Sequence, residues 1–299
     1  MAIAHVSPGT SSQVKPQRAG KKLPYLLLLP GLLWLFVFFV YPLVNLAQTS
    51  TKTRAESQEI GAFVQTYRFA NYIDAFVENQ EQFVRSFTYA LMATLLALAI
   101  SYPLAYAIAF KAGRYKNIAL ILVIAPFFTS FLLRTIAWKQ ILGAEGPVLT
   151  VLRALNLASA DTNITASSFA VVMGLTYNFL PFMTLPIYAS LDRIDPRLME
   201  ASGDLYANGA TTFRKVTVPL SMPGVVAGTL LTFIPASGDY INAAILGNPS
   251  TKMLGNVIDS RFFRIVDYPT AAALSFTLMA AILFLVIIYI RRSGTDELV

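Results

Sequence analysis

Asp195-Pro196-Arg197-Leu198-Met199-Glu200-Ala201-Ser202-Gly203-Asp204-Leu205-Tyr206-Ala207-Asn208-Gly209 is a polar interlude between two long apolar runs. Asp195-Pro196 reads as a helix start, with Asp as N-cap and Pro at the first helical position. Leu198, Ala201, Ser202 and Leu205 recur at i, i+3, i+4 and i+7, placing apolar or small side chains on one face. Asn208-Gly209 has the composition of a helix end. Thr211-Thr212 can start another short turn, and Pro219 opens the next apolar run. The spacing predicts a short amphipathic helix over 195–209, inside a loop spanning 191–218. Helices that lie on a lipid surface are usually rich in Lys, Arg, Trp and Phe. This one carries Ala, Ser and Gly, and between 198 and 207 it is more acidic than basic. Small side chains let another protein approach closely, so the helix reads as a docking element.

Outward from that loop the chain is dominated by apolar runs. It has 56% hydrophobic and 13% charged residues, against roughly 25% charged in a soluble domain, which makes lipid its solvent. Six stretches are long enough to cross a bilayer as helix, near 25–46, 84–110, 118–138, 168–190, 219–240 and 269–290. Open strands in lipid would leave backbone groups unpaired. Barrel strands would be short and alternating, whereas Leu26–Leu29 and Leu32–Val40 are continuous. The first run follows Lys15, Arg18, Lys21 and Lys22 but is too long for a signal peptide, so it reads as an uncleaved anchor.

With the N-terminus inside, the inner segments hold 13 of the 23 basic residues and 6 of the 16 acidic ones. The whole excess of +7 then sits on one side, as the positive-inside rule requires, and Lys111, Arg114 and Lys116 cast the strongest vote. Both termini are therefore expected in the cytoplasm. Tails are expected at 1–24 and 291–299, around a six-helix membrane domain over 25–290. The net charge needs no nucleic acid to explain it. The outer segments are a polar, aromatic loop near 47–83 and an irregular cap at 143–167.

Glu200–Gly209, continued by Thr212-Phe213-Arg214-Lys215-Val216-Thr217-Val218-Pro219-Leu220, resembles the EAA loop of binding-protein-dependent ABC permeases. The likeness implies the type I importer permease fold, with a coupling helix seated in a groove of the ATPase. Glu200, Ala201, Ser202, Asp204, Leu205, Tyr206, Ala207 and Gly209 are the coupling residues it implies. The family usually has Gly where Tyr206 stands and Ala where Ser202 stands. Tyr is poorly suited to a positive φ. Either Tyr206 stays helical with the bend at Asn208-Gly209, or its ring enters the ATPase groove.

Polar groups within spans are functional candidates because lipid makes them costly. Asp239, with Ser237-Gly238 before it and Tyr240 after it, is the only acidic residue at or in a span. It reads equally as a cation partner or as a water-exposed helix end. Phe233–Gly247, Pro126–Trp138 and Tyr177–Tyr188 resemble the corresponding stretches of polyamine (spermidine/putrescine) permeases. With the loop, that likeness covers roughly 25–290. It implies the first of two homologous permease subunits in the cell inner membrane, served by two copies of an ATPase and an extracytoplasmic substrate-binding protein. Carboxylates and aromatic faces suit a chain of ammonium groups. Asp239, Tyr240, Tyr177, Asn178 and Phe182 are the candidate pathway residues. Arg134 is expected to pair with an acid or to reach the outer interface. Pro126, Pro181 and Pro186 are expected to break their helices.

There is no cysteine, and the one histidine, His5, lies in the polar tail, so no metal site or His-based catalysis is expected. No cofactor is expected. No G-x-x-x-x-G-K-[ST] loop occurs, so ATP is expected to be hydrolysed on a separate subunit. The alternatives are the same role with iron, thiamine or sulfate as cargo, an ion-coupled secondary transporter, and a membrane enzyme. The second would want ionisable groups at mid-membrane and inverted repeats, and neither is present.

Overall fold

The computed structural model describes residues 23–55, 61–159 and 162–292. Residues 1–22 and 293–299, which make up most of the expected tails, lie outside the described residues. Two units result, divided after Leu46. The first is helix α1 (Leu23–Leu35), a π-helical turn (Phe36–Val40), and the start of α2 (Tyr41–Ser50). Within it the Trp34 and Phe38 rings lie 4.2 Å apart, one turn along the same face.

The second unit begins with a small antiparallel hairpin, β1 (Lys52–Arg54) with β2 (Phe63–Gln65), Thr53 opposite Val64. This pair and the following α3 (Ala70–Glu78) occupy the expected outer loop. α4 (Gln80–Phe110) follows, then α5 (Lys116–Ile124), α6 (Phe131–Ile141) and α7 (Pro147–Ala154). After these come α8 (Ser168–Asp192), α9 (Pro196–Asp204), α10 (Gly209–Thr212) and α11 (Val218–Ser237). α12 (Ile241–Leu246), α13 (Leu254–Asp259) and α14 (Tyr268–Arg292) complete the chain.

Five helices among the described residues are long and apolar enough to cross a membrane: Leu27–Ser50, Gln80–Phe110, Ser168–Asp192, Gly209–Ser237 and Tyr268–Arg292. The run expected to cross as one helix over 118–138 is broken. Gly113–Phe128 and Phe131–Ile141 meet at 96°. The cause is local: Pro126 sits in a short 3₁₀ turn (Ala125–Phe128), and Thr129 and Ser130 are extended. Pro181 and Pro186, by contrast, stay inside α8. Near Pro181, Thr184 Oγ1 lies 2.9 Å from Leu180 O and 2.8 Å from Ser101 Oγ, so a hydroxyl pair ties α8 to α4 there.

The core is the triple contact of α4, α8 and α11. α11 approaches α8 through Gly224 and Gly228, four residues apart on one face. A Cβ at Gly224 would lie 2.5 Å from Pro186 O and 2.5 Å from Ser190 Oγ. One at Gly228 would lie 2.9 Å from Met183 O. Tyr102 OH, 2.8 Å from Ser221 Oγ, ties α4 to α11. Gly224→Leu should therefore push α11 off α8 and destabilise the fold by roughly 1–3 kcal/mol. A lowered thermal midpoint in detergent is the expected reading; an unchanged one would contradict this packing.

Candidate functional site

The polar loop over 191–218 closes one end of the bundle. Asp192, at the end of α8, is ion-paired with Lys116 at the start of α5 and accepts from Tyr188 OH at 3.3 Å. Asp195 then caps α9, its carboxylate accepting from the Arg197 backbone N–H at 2.9 Å. Ile194 is buried in a hydrophobic cluster that also draws in Met199 and, from α4, Tyr106 and Phe110. Ser202 is also turned inward, 2.7 Å from both Met199 O and Thr212 Oγ1. Phe213, just beyond α10, sets its ring edge-on to Tyr102 and Tyr106. Two layers thus join the loop to α4.

The other side of α9 is free of such contacts. Leu198, Glu200, Ala201, Asp204 and Leu205 are exposed. The predicted face is therefore split: Leu198, Ala201 and Leu205 point outward, while Ser202 is internal and locks the loop. The predicted helix end is also corrected. α9 stops at Asp204, five residues short of Gly209. Ala207 N–H bonds to Ser202 O at 3.0 Å and Tyr206 N–H to Gly203 O at 2.9 Å, the double bond of a Schellman ending. That ending needs a left-handed residue, and Tyr206 supplies it at φ +57. Tyr206 is neither helical nor replaced in this role by Asn208-Gly209. Asn208 instead starts the next helix, its side chain accepting from Thr211 N–H at 2.8 Å. The Tyr206 ring is 98% exposed. A non-Gly residue in this region costs about 1–2 kcal/mol. Tyr206→Gly should then stabilise the loop by about 1 kcal/mol, because the exposed ring contributes nothing to the fold. Slower hydrogen exchange at Leu205–Asn208 in the variant would show it; faster exchange would contradict it.

At the opposite end of the bundle the chain turns back. α11 ends at Ser237, and the short α12 re-enters against α6 and α8. Gly174 of α8 permits the approach, since a Cβ there would meet Leu246 Cδ1 at 2.4 Å and Asn242 Oδ1 at 2.8 Å. Asp239 is not the water-exposed helix end of the sequence reading. It is 9% exposed, and its carboxylate accepts from the Asn242 backbone N–H at 2.8 Å. Asn178 Nδ2 donates to Asn242 Oδ1 at 3.0 Å and to Thr135 Oγ1 at 3.1 Å. All three of these residues are essentially buried, yet Asn178 Oδ1 and Asn242 Nδ2 have no partner. Unmet buried polar groups are costly and cluster at working sites. The structure therefore brings Asn178 and Asp239 together, with Tyr240 half-exposed beside them. Thr135 and Asn242 were missed. An Asn inside the apolar run Ile241–Leu246 was the available signal for the second.

Tyr177 and Phe182 go elsewhere. Tyr177 lines a cavity with Arg134 and sets its ring edge-on to Trp138 at 5.2 Å. Phe182 meets Phe127 at 5.0 Å. Arg134 has no carboxylate partner among the described residues. Its guanidinium lies over the Phe127 ring at 4.7 Å.

No family model matches the chain. Over 261 residues it is 36% identical to the spermidine/putrescine transport system permease protein PotB of Haemophilus influenzae, covering 87% of this chain and 90% of that protein. The chain belongs to the PotB permease family. The PotB protein of Escherichia coli K12 is 33% identical over 260 residues, 87% of this chain and 94% of the relative. The PotB-family fold is also that of more distant ABC permeases. A chain of a bacterial alginate ABC transporter, solved in complex with an alginate pentasaccharide-bound periplasmic protein, gives a TM-score of 0.69 at 18% identity. The match covers 91% of this chain and 94% of that one. The expected all-helical, multi-pass ABC permease fold is borne out, with the β1–β2 hairpin as a small addition. As a PotB-family member the chain is a membrane permease subunit.

Proposed function

We propose that this chain forms half of the pathway by which an ATP-driven importer carries spermidine or putrescine across the cell inner membrane. The observation that carries the reading is the 36% identity, over nearly the whole chain, to a permease named for those cargoes. A second homologous permease supplies the other half. Two copies of a separate ATPase hydrolyse ATP, and an extracytoplasmic binding protein delivers the polyamine. Both termini, the Lys111–Lys116 turn and α9 face the cytoplasm.

The geometry supports a division of labour. The exposed side of α9, with Glu200, Ala201, Asp204, Leu205 and Tyr206, docks on the ATPase. Ser202, Ala207 and Gly209 shape the loop behind it. At the other end, Asp239, Tyr240 and Asn178 offer a carboxylate, an aromatic face and a free amide oxygen, three groups that suit an ammonium. Tyr177, about 100° from Asn178 around α8, and Phe182, one turn beyond Asn178 and packed on Phe127, are not needed for that contact. Disrupting the gene for this chain should abolish high-affinity uptake of labelled spermidine by intact cells, and the restored gene should recover it. Uptake that survives the disruption would contradict the reading.

A further inference from the structure

The break in the third apolar run leaves a cavity of about 370 Å³ among α4, α5, α8 and the bend. Leu104, Ile108, Leu122, Val123 and Leu180 supply apolar walls, and Arg134 and Tyr177 are its only polar side chains. The Arg134 guanidinium is held over Phe127 at 4.7 Å and Phe131 at 5.8 Å. Its Nε is buried and has no hydrogen-bond partner. α6 begins three residues before it, and the Ser130 side chain does not cap that helix, so the positive end of α6 adds to the same field.

An unpaired guanidinium among apolar walls calls for an anion from outside the chain. A polyamine would bring a like charge to a place with almost no acceptors. A small soluble anion would leave the walls bare. An amphiphile with an anionic head satisfies both parts. We propose that this cavity binds an anionic phospholipid, its phosphate paired with Arg134 and an acyl chain laid along Leu104, Leu122 and Leu180. Guanidinium matches phosphate through two parallel N–H donors, and Tyr177 OH offers a further donor. Basic pockets between membrane helices are known to hold such head groups.

Native mass spectrometry of the assembled transporter, delipidated and titrated with phosphatidylglycerol or phosphatidylcholine, tests this. The wild-type complex should hold phosphatidylglycerol in preference to phosphatidylcholine. R134Q should weaken the phosphatidylglycerol binding at least tenfold, and R134K, which keeps the charge but not the paired donors, should fall between R134Q and wild type. Equal retention by wild type and R134Q, or equal binding of the two lipids, would overturn the proposal. So would displacement of the lipid by millimolar inorganic phosphate, which would make the site one for a soluble anion. Loss of the second permease from R134Q with lipid binding unchanged would also overturn it, since a carboxylate of that subunit would then be the partner.

Discussion

Replacing Glu200 with lysine is expected to abolish polyamine uptake while the chain still inserts and still pairs with the second permease. Glu200 stands on the exposed side of α9, and no ion pair within the described residues engages it. Its replacement removes nothing from the core, so stability should change by less than about 0.5 kcal/mol. What changes is the sign of charge offered to a partner. Charge reversal within an interface disfavours docking through like-charge contact and unpaired polar groups. A tenfold loss of ATPase affinity, about 1.4 kcal/mol, is the least expected. Co-purification of the ATPase with the membrane subunits reads it directly. Normal co-purification and normal uptake by E200K would remove α9 from the coupling role.

Asp239→Asn is expected to raise the KM for spermidine at least tenfold, with the complex intact. The substitution separates two roles of the carboxylate. Asn keeps an oxygen to accept the Asn242 backbone N–H, so the start of α12 remains capped. It removes only the charge that would meet an ammonium. Asp239→Ala removes both, and should in addition cost about 0.5–2 kcal/mol in stability. If D239N transports normally and D239A is merely less stable, Asp239 is a cap and the cation contact lies elsewhere.

Much of the fold was legible because lipid imposes a simple rule. Every apolar run near 20 residues must be helical, and five of the six appear as single helices. The exception shows the limit of composition. Pro126, Thr129 and Ser130 marked a break, but hydropathy sees no direction, and the 96° turn depends on extended backbone at two residues. α9 was legible from Asp195-Pro196, since capping is local. Its end was not. Gly209 drew the helix too far, whereas the Schellman pair chose Tyr206 despite its side chain. The reason is tertiary: Ser202 is held by Thr212, and that contact places the bend before Asn208.

The candidate site divided for a similar reason. Tyr177 and Asn178 are neighbours in sequence, but about 100° apart around a helix. One joins the cavity of Arg134 and the other the cluster with Thr135 and Asn242. The short α12 carried one signal, an Asn inside an apolar run, and its contact with α8 runs through Gly174. Gly224 and Gly228 carried a readable small-residue spacing, and the approach of α11 to α8 follows from it.

The most direct test of the central claim is spermidine uptake by proteoliposomes holding this chain, the second permease and the ATPase, with binding protein outside and ATP sealed inside. Saturable uptake that requires both ATP and the binding protein, and is lost with E200K, is the predicted result. ATP hydrolysis without spermidine uptake would contradict the cargo. Uptake that runs on an ion gradient without ATP would contradict the permease role itself.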